Sequence, residues 1–335
     1  MPVLNERAYL ERAVETVLAQ EIDGPTELIL ALGPSRDGTT ELATHLASED
    51  PRITIVHNPE ADIPIGLNRA IRAARHDVIV RVDAHSELTA GYARRALETL
   101  RRVGAANVGG VMHADGRTPF QAAVAHAYNS RLGLGGGAYH SGGEEGPAES
   151  AYLGVMRKEI LEEVGLFDES IRRGEDWELN LRLRAAGHLV WFDPALSVTY
   201  WPRDSWTRLV RQFTATGTWR GELVRRFGRR NSVRFFAPPA LVAATASSII
   251  VAGLQATGVL TGRRASIFHL PIALYVALVA AAGTRAGGPA RQRAWYLAVV
   301  PSMHLAWGAG FLRGILRGAS KTIDTSRLDR NTPLP

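Results

Sequence analysis

No charged side chain occurs between Arg234 and Arg263, and the same silence recurs from Ala265 to Thr284 and from Ala294 to Leu312. A helix crossing a membrane needs roughly 20 apolar residues, and each run approaches that length. Buried helices of a soluble domain would carry a polar stripe, whereas these runs are apolar around the whole circumference. Residues 235–313 are therefore read as a membrane domain with two or three transmembrane helices. Pro238-Pro239 leaves a re-entrant or interfacial course open for the first run. The arginines ahead of that run place its leading side in the cytoplasm.

The rest of the chain is polar. Its net charge of +6 rests on arginine, because Lys158 and Lys321 are the only lysines. No recognition module accompanies the charge, so nucleic acid is not an expected partner. The absence of cysteine excludes disulfides, zinc–thiolate sites and thiol nucleophiles. The first residues lack an apolar signal region and read as domain interior, so the large domain is expected to stay cytoplasmic.

Residues 7–20 set Leu10, Val14, Val17 and Leu18 on one helical face, and Glu27–Leu32 reads as a buried strand ending at Gly33-Pro34. A helix with Leu42 and Leu46, a strand at Ile53–Val56, a helix over 66–74 and a strand at Asp77–Val82 follow. This alternation predicts an α/β domain over 1–202, with a mostly parallel sheet covered by helices on both faces. Ligands of such sheets sit beyond the carboxyl ends of the strands, where Asp83 falls. Helices over 91–103 and 119–130, strands at 108–112 and 151–157, and a helix over 174–186 complete it. The glycine-rich stretch 131–150 lacks a following Gly-Lys-Ser/Thr and reads as a mobile loop over a site, not a phosphate cradle. Residues 203–234 carry nine arginines against Asp204 and Glu222, interleaved with Trp206, Phe213, Trp219 and Phe227. That mixture predicts an interfacial helix on an anionic membrane surface. Residues 314–335 form a polar tail.

Asp83-Ala84-His85 follows a buried strand, and side chains two positions apart on an extended chain point the same way. Carboxylate and imidazole together suit Mn2+ or Mg2+ bridging a diphosphate. A turn or helix cap is an equal explanation for Asp83. Glu175-Asp176 opens a helix, where acids are favoured without any functional requirement, yet an ionised carboxylate there can accept a proton from a hydroxyl nucleophile. Trp177 is a candidate for stacking on a sugar. Gln212, Trp219 and Arg220 precede the membrane run, with Arg220 suited to a pyrophosphate and Trp219 to an acceptor sugar; a plain interfacial anchor competes equally.

Taken in order, Pro2-Val-Leu-Asn-Glu6, Ser35-Arg-Asp-Gly-Thr39, Gly66-Leu-Asn68, Val82-Asp-Ala-His85, Gly165-Leu-Phe-Asp-Glu169 and Glu175-Asp-Trp-Glu-Leu179 resemble the family 2 glycosyltransferases of GT-A (Rossmann-type) fold. The likeness is greatest to the membrane-anchored bacterial enzymes of exopolysaccharide assembly, of the succinoglycan type. The resemblance implies an inverting, metal-dependent hexosyltransferase in a bacterial cell membrane, multi-pass, with a cytoplasmic catalytic domain. It implies a nucleotide-sugar donor, expected to be a UDP-hexose with the base left open, and a lipid-linked or polysaccharide-precursor acceptor. By the same resemblance Asp176 is the general base supported by Glu175, Asp83 and His85 hold the Mn2+ or Mg2+, and Pro2, Asn5, Glu6, Asn68 and Asp83 bind the nucleotide sugar. Trp177, Gln212, Trp219 and Arg220 are assigned to the acceptor.

Two departures stand out. Leu32 occupies the place where the family usually has an acid contacting the nucleotide base, which loosens the expectation of uridine. The family also has an apolar strand before the first motif that this chain lacks, so Met1 is expected to be an internal methionine of a longer strand. The alternative to an enzyme is an inactive membrane scaffold of the same fold. A transporter is disfavoured, since His269 and His304 are the only ionisable residues within the runs and suit helix packing.

Overall fold

The structure is a computed structural model describing residues 1–134, 140, 142–261, 263–320 and 322. Residues 135–139 and 141 of the glycine-rich stretch, and nearly all of the tail beyond 320, lie outside the described residues; the rest of the expected mobile loop includes a helical turn at Arg131–Leu134 and a short strand at Gly146–Pro147. The chain divides into two compact units. One holds residues 1–115 and 142–201, the other 116–134 and 202–320.

The first unit is α/β. Strands β1 (Pro2–Val3), β2 (Leu28–Leu32) and β3 (Ile53–His57) form a parallel sheet in the order β1-β2-β3. Between and after them lie α1 (Leu10–Leu18), α2 (Thr39–Glu49) and α3 (Ile63–Ala73). A second sheet collects β4 (Val78–Val80), β5 (Ser86–Leu88), β6 (Asn107–Ala114), β7 (Gly146–Pro147), β8 (Tyr152–Arg157) and β9 (Val190–Tyr200), ordered β4-β8-β6-β9-β5 with β7 on β9. Parallel pairing therefore holds through the first sheet and between β6 and β9. The pairs β4–β8, β6–β8 and β5–β9 are antiparallel. Sequence alternation predicts the βα repeats of the first half, but pairing between strands about 75 residues apart leaves no local signal.

The remaining helices of this unit are α4 (Tyr92–Arg102), α7 (Lys158–Glu163) and α8 (Glu175–Ala185). Successive residues of β8 face opposite ways, as a pleated strand requires. Val155 joins a cluster with Leu10, Val14, Ala43 and Leu100, from α1, α2 and α4. Met156 joins another with Leu67, Ile71, Leu161, Leu179 and Leu183, from α3, α7 and α8. Each fully buried Leu or Val here contributes roughly 1.5–3 kcal/mol. Pro2-Val3 pairs with Ala31-Leu32 as a two-residue strand at the edge of this sheet.

The second unit is helical: α5 (Pro119–Tyr128), α6 (Arg131–Leu134), α9 (Trp206–Phe227), α10 (Ala237–Ala256), α11 (Leu270–Arg285) and α12 (Ala290–Arg317). Two stretches among the described residues are long and apolar enough to cross a membrane, Val233–Ala256 and Arg264–Arg285, with 11% and 6% of their most apolar part buried. The third uncharged run behaves differently from its expected lipid-facing role. Helix α12 buries Tyr296, Val299, Val300, Met303, Phe311 and three glycines. Its main neighbour is α9, followed by α5 and α10 to a similar extent. At the α9–α12 crossing a Cβ on Gly217, Gly221, Gly310 or Gly314 would lie 2.0–2.2 Å from a carbonyl oxygen of the facing helix. Small residues let the two backbones touch. The two histidines join helices: His269 bonds Ser248 and Gln255, and His304 bonds Tyr275 and the Gly133 carbonyl.

Candidate active site

The loops leaving β1 and β2 are stitched together. Asn5, at a φ of 54° that Asn tolerates better than most residues, donates its N–H to Ser35 Oγ and accepts from the Arg36 N–H. The Glu6 N–H reaches Thr39 Oγ1 at 2.9 Å, and the Arg7 N–H reaches Asp37 Oδ2 at 3.1 Å. The first two sequence motifs thus form one double loop at the carboxyl ends of adjacent parallel strands. Leu32 is buried beneath it.

Arg81 continues β4, its N–H donating to the Gly154 carbonyl. Its side chain is buried, with Nη2 2.9 Å from Glu175 Oε1 and 3.5 Å from Asp83 Oδ1, and the guanidinium 5.9 Å from the centre of the Phe167 ring. Burial alone would lower the Arg81 pKa, but the negative charges of Asp83, Glu175 and Asp176 raise it above the ordinary value and keep it ionised. Three carboxylates of the expected site therefore act on one cation. In the opposite sense, burial pushes the Glu175 carboxyl up, against the pull of Arg81.

The geometry at Asp83-Ala84-His85 differs from an extended strand. The Ser86 N–H donates to the Asp83 carbonyl, closing a tight turn, so alternation does not govern where His85 points. His85 Nδ1 lies 3.3 Å from Glu6 Oε1, an ion pair when the ring is protonated, and the ring meets Tyr200 edge-on at 5.1 Å. Glu6 is 4% exposed and faces His85. Tyr152 completes the surround; burial first, then Asp83, raises its hydroxyl pKa well above the ordinary range.

Helix α8 starts after Gly174, whose φ of 78° turns the chain into the helix. Asp176 is half-buried, while Glu175 is 5% exposed, so the pair divides into an accessible and an interior carboxylate. The Trp177 N–H donates to Asp176 Oδ1 at 2.7 Å, and an acid in a first helical turn is favoured by the helix dipole. Asn180 anchors the turn, donating to the Asp176 carbonyl and Ser150 Oγ while accepting from Asn107 Nδ2.

Other expected site residues are placed differently. The Asn68 amide is consumed internally: Nδ2 donates to the Phe167 carbonyl and Glu169 Oε1, and Oδ1 accepts from the Phe167 N–H. It ties α3 to the Gly165–Glu169 motif. Stacking on a sugar requires an exposed ring face, but Trp177 is 6% and Trp219 1% exposed, the latter with its indole N–H on the Thr322 carbonyl. Gln212 is buried and accepts from the Tyr128 hydroxyl. Arg220 lies 4.1 Å over the Phe235 ring. Gln212, Trp219 and Arg220 belong to the second unit. Sequence reasoning missed Arg81, Tyr152 and Tyr200. For Arg81 a signal existed, because a charge inside Val78-Ile-Val-Arg-Val82 needs a buried partner.

Among the described residues no three His, Cys, Asp or Glu side chains converge as a ready-made metal cage. Asp83 and His85 do present an oxygen and a nitrogen donor in one turn, with side chains 19% and 14% exposed. Ions bound through one or two side chains complete their shell with substrate phosphates and water, so the pair fits an ion that arrives with a diphosphate.

A profile of the glycosyl transferase family 2 matches residues 1–165. The succinoglycan biosynthesis protein ExoA of Rhizobium meliloti (strain 1021) is 32% identical over 320 residues, 94% of both chains. The dolichyl N-acetyl-alpha-D-glucosaminyl phosphate 3-beta-D-2,3-diacetamido-2,3-dideoxy-beta-D-glucuronosyltransferase of Methanococcus voltae is 24% identical over 235 residues, 68% of this chain and 73% of that one. Among solved structures, the mannosyltransferase PcManGT of Pyrobaculum calidifontis, determined with GDP-Man and Mn2+, superposes with a TM-score of 0.61 at 17% identity, over 93% of this chain and 85% of that one. The fold is that of the GT-A glycosyltransferases. The chain belongs to the family 2 glycosyltransferases.

Proposed function

We propose that the chain is an inverting transferase that moves a hexose from a nucleotide sugar to a lipid-linked or polysaccharide-precursor acceptor at the cytoplasmic membrane face, in exopolysaccharide synthesis. The observation that carries this reading is the shared guanidinium: Asp83, beside the loops that end β1 and β2, and the helix-borne Glu175 meet at Arg81, with Asp176 beside them. Asp176, the accessible member of its pair, takes the proton of the acceptor hydroxyl. Glu175 holds the start of α8 through Arg81. Asp83 and His85 hold Mn2+ or Mg2+, with Glu6 orienting the imidazole, as a carboxylate commonly does for a ligating histidine. When bound, the ion neutralises charge on the departing diphosphate. Asn5 and the backbone of the Pro2–Glu6 loop line the nucleotide side, and Asn68 shapes it from behind.

Val233–Ala256 and Arg264–Arg285 anchor the enzyme in the membrane. In this reading residues 1–202 form the catalytic domain, 203–234 a basic segment at the membrane surface and 235–313 the membrane domain. Arg220 offers its charge to an acceptor phosphate, while Gln212 and Trp219 are buried on the same helix and Trp177 is buried in the catalytic domain. The lipid-phosphate acceptor and the polysaccharide in the names of the two relatives support the acceptor class. A donor screen on membranes containing the full chain, with and without Mn2+ or Mg2+, tests the reading. We expect one nucleotide sugar to be incorporated into lipid-extractable product only with the ion, with the anomeric configuration inverted by NMR. Incorporation that persists in a D176N variant would defeat the assigned base.

A further inference from the structure

Resting on the transferase reading above, we propose that Arg81 is a positioning residue that locks the donor-side Asp83 and the base-side helix α8 in register. Its two contacts, 2.9 Å to Glu175 and 3.5 Å to Asp83, come from the same nitrogen, Nη2. That nitrogen carries two N–H bonds about 120° apart in a rigid plane, so each carboxylate is met along a fixed direction. The backbone under it is held, since the Arg81 main-chain N–H is bonded to the Gly154 carbonyl, and the guanidinium lies 5.9 Å from the centre of the Phe167 ring. Phe167 is in turn pinned by Asn68. Donor loop, strand and helix thus converge on one fork.

A purely stabilising role accounts poorly for this arrangement. Replacing a buried ion pair with well-packed apolar residues is often neutral or favourable, so an arginine within Val78–Val82 gains the strand little. What it does supply is a defined angle between Asp83, two residues further along its own segment, and Glu175, which lies 94 residues from Arg81 in sequence. The longer contact sets Asp83, and the shorter one keeps Glu175, and with it the adjacent Asp176, in place.

Lysine separates geometry from charge, because its ammonium keeps the charge but rotates freely. Full-length wild type, R81K and R81Q are assayed in membranes with whichever of UDP-glucose, UDP-galactose and GDP-mannose the wild type turns over. We expect R81K to melt within a few degrees of wild type yet to lose about tenfold or more in kcat, with R81Q about 100-fold down. Recovery of kcat by R81K in step with its melting temperature, or a wild-type kcat in R81Q, overturns the proposal. Should either single variant fail to fold, R81Q/E175Q removes both members of the shorter, buried pair and leaves only the more exposed Asp83 without its cation. Its kcat should then equal that of E175Q, and a further tenfold loss would show Arg81 acting independently of Glu175 and overturn the coupling. Absence of turnover by wild type with every donor sinks the transferase reading and this inference together, whereas wild-type turnover unaffected in R81Q sinks the inference alone.

Discussion

At the scale of single residues, the two acids that open α8 have unlike surroundings and should respond unlike to substitution. Removing a general base costs about 100- to 10,000-fold in rate. We therefore expect D176N to lose turnover by that order while melting like the wild type, and E175Q to lose both turnover and thermal stability, since it strips Arg81 of its nearest partner. Parallel kinetic and melting measurements check the split. Asp193 provides the acid-stability counterpart. Burial would raise its pKa, but hydrogen bonds from Arg95, Thr99 and the Ala195 N–H outweigh burial and leave it lowered. Its contribution is complete above the unfolded value near 4 and disappears as pH falls through the lower folded one. Asp62, raised mainly by burial against the pull of Arg172, acts in the reverse sense: its contribution is present at low pH and is lost as pH rises through the raised value. We expect D193N to cost about 2 kcal/mol at pH 7 and to show a flatter loss of stability below pH 4 in denaturation curves.

At the scale of elements, the α9–α12 crossing leaves no room for a methyl group. Alanine normally favours a helix over glycine by roughly 1 kcal/mol. Here G314A should instead destabilise, by about 1–3 kcal/mol, because its Cβ would lie 2.0 Å from the Thr218 carbonyl. Thermal unfolding in detergent with G253A as control, whose Cβ would meet nothing within 4 Å, tests the sign. Elements also show what could be read from the chain. The βα repeats up to His57 and helix α4 carry their apolar periodicity openly, whereas α8, expected to be amphipathic, sets Trp177, Leu179, Leu181 and Leu183 at every second position and also buries Glu175, Glu178 and Asn180. Strand β9 does not: Asp193-Pro194 interrupts it, and it is held together by β6 on one side and β5 on the other. Likewise the composition of α12 announces an apolar helix without saying whether lipid or protein covers it. The carboxylates of the site were legible because they recur in ordered motifs. Arg81 was absorbed into a strand, and the turn at Asp83 depends on a single backbone hydrogen bond that no residue pattern reports.

At the scale of the whole molecule, charge and hydropathy are distributed unevenly along the chain. No Asp or Glu occurs between Glu222 and Asp324, a stretch that holds twelve arginines and Lys321. Such a charge suits an anionic lipid surface. The absence of cysteine makes the natural chain a clean background for labelling. If both apolar stretches cross, T261C should react with an impermeant maleimide in intact cells, and D23C only after permeabilisation; an unreactive T261C would argue for helices lying in one leaflet. The shallow burial of these stretches has a practical corollary. Among the described residues Val233–Ala256 and Arg264–Arg285 give little of their surface to the protein, whereas α12 is committed to α9. Excising residues 237–286 and bridging the gap with a long Gly-Ser linker would then remove most of the greasy exterior while sparing the α9–α12 pair. Such a shortened chain is expected to be recoverable without surfactant and to crystallise from aqueous buffer.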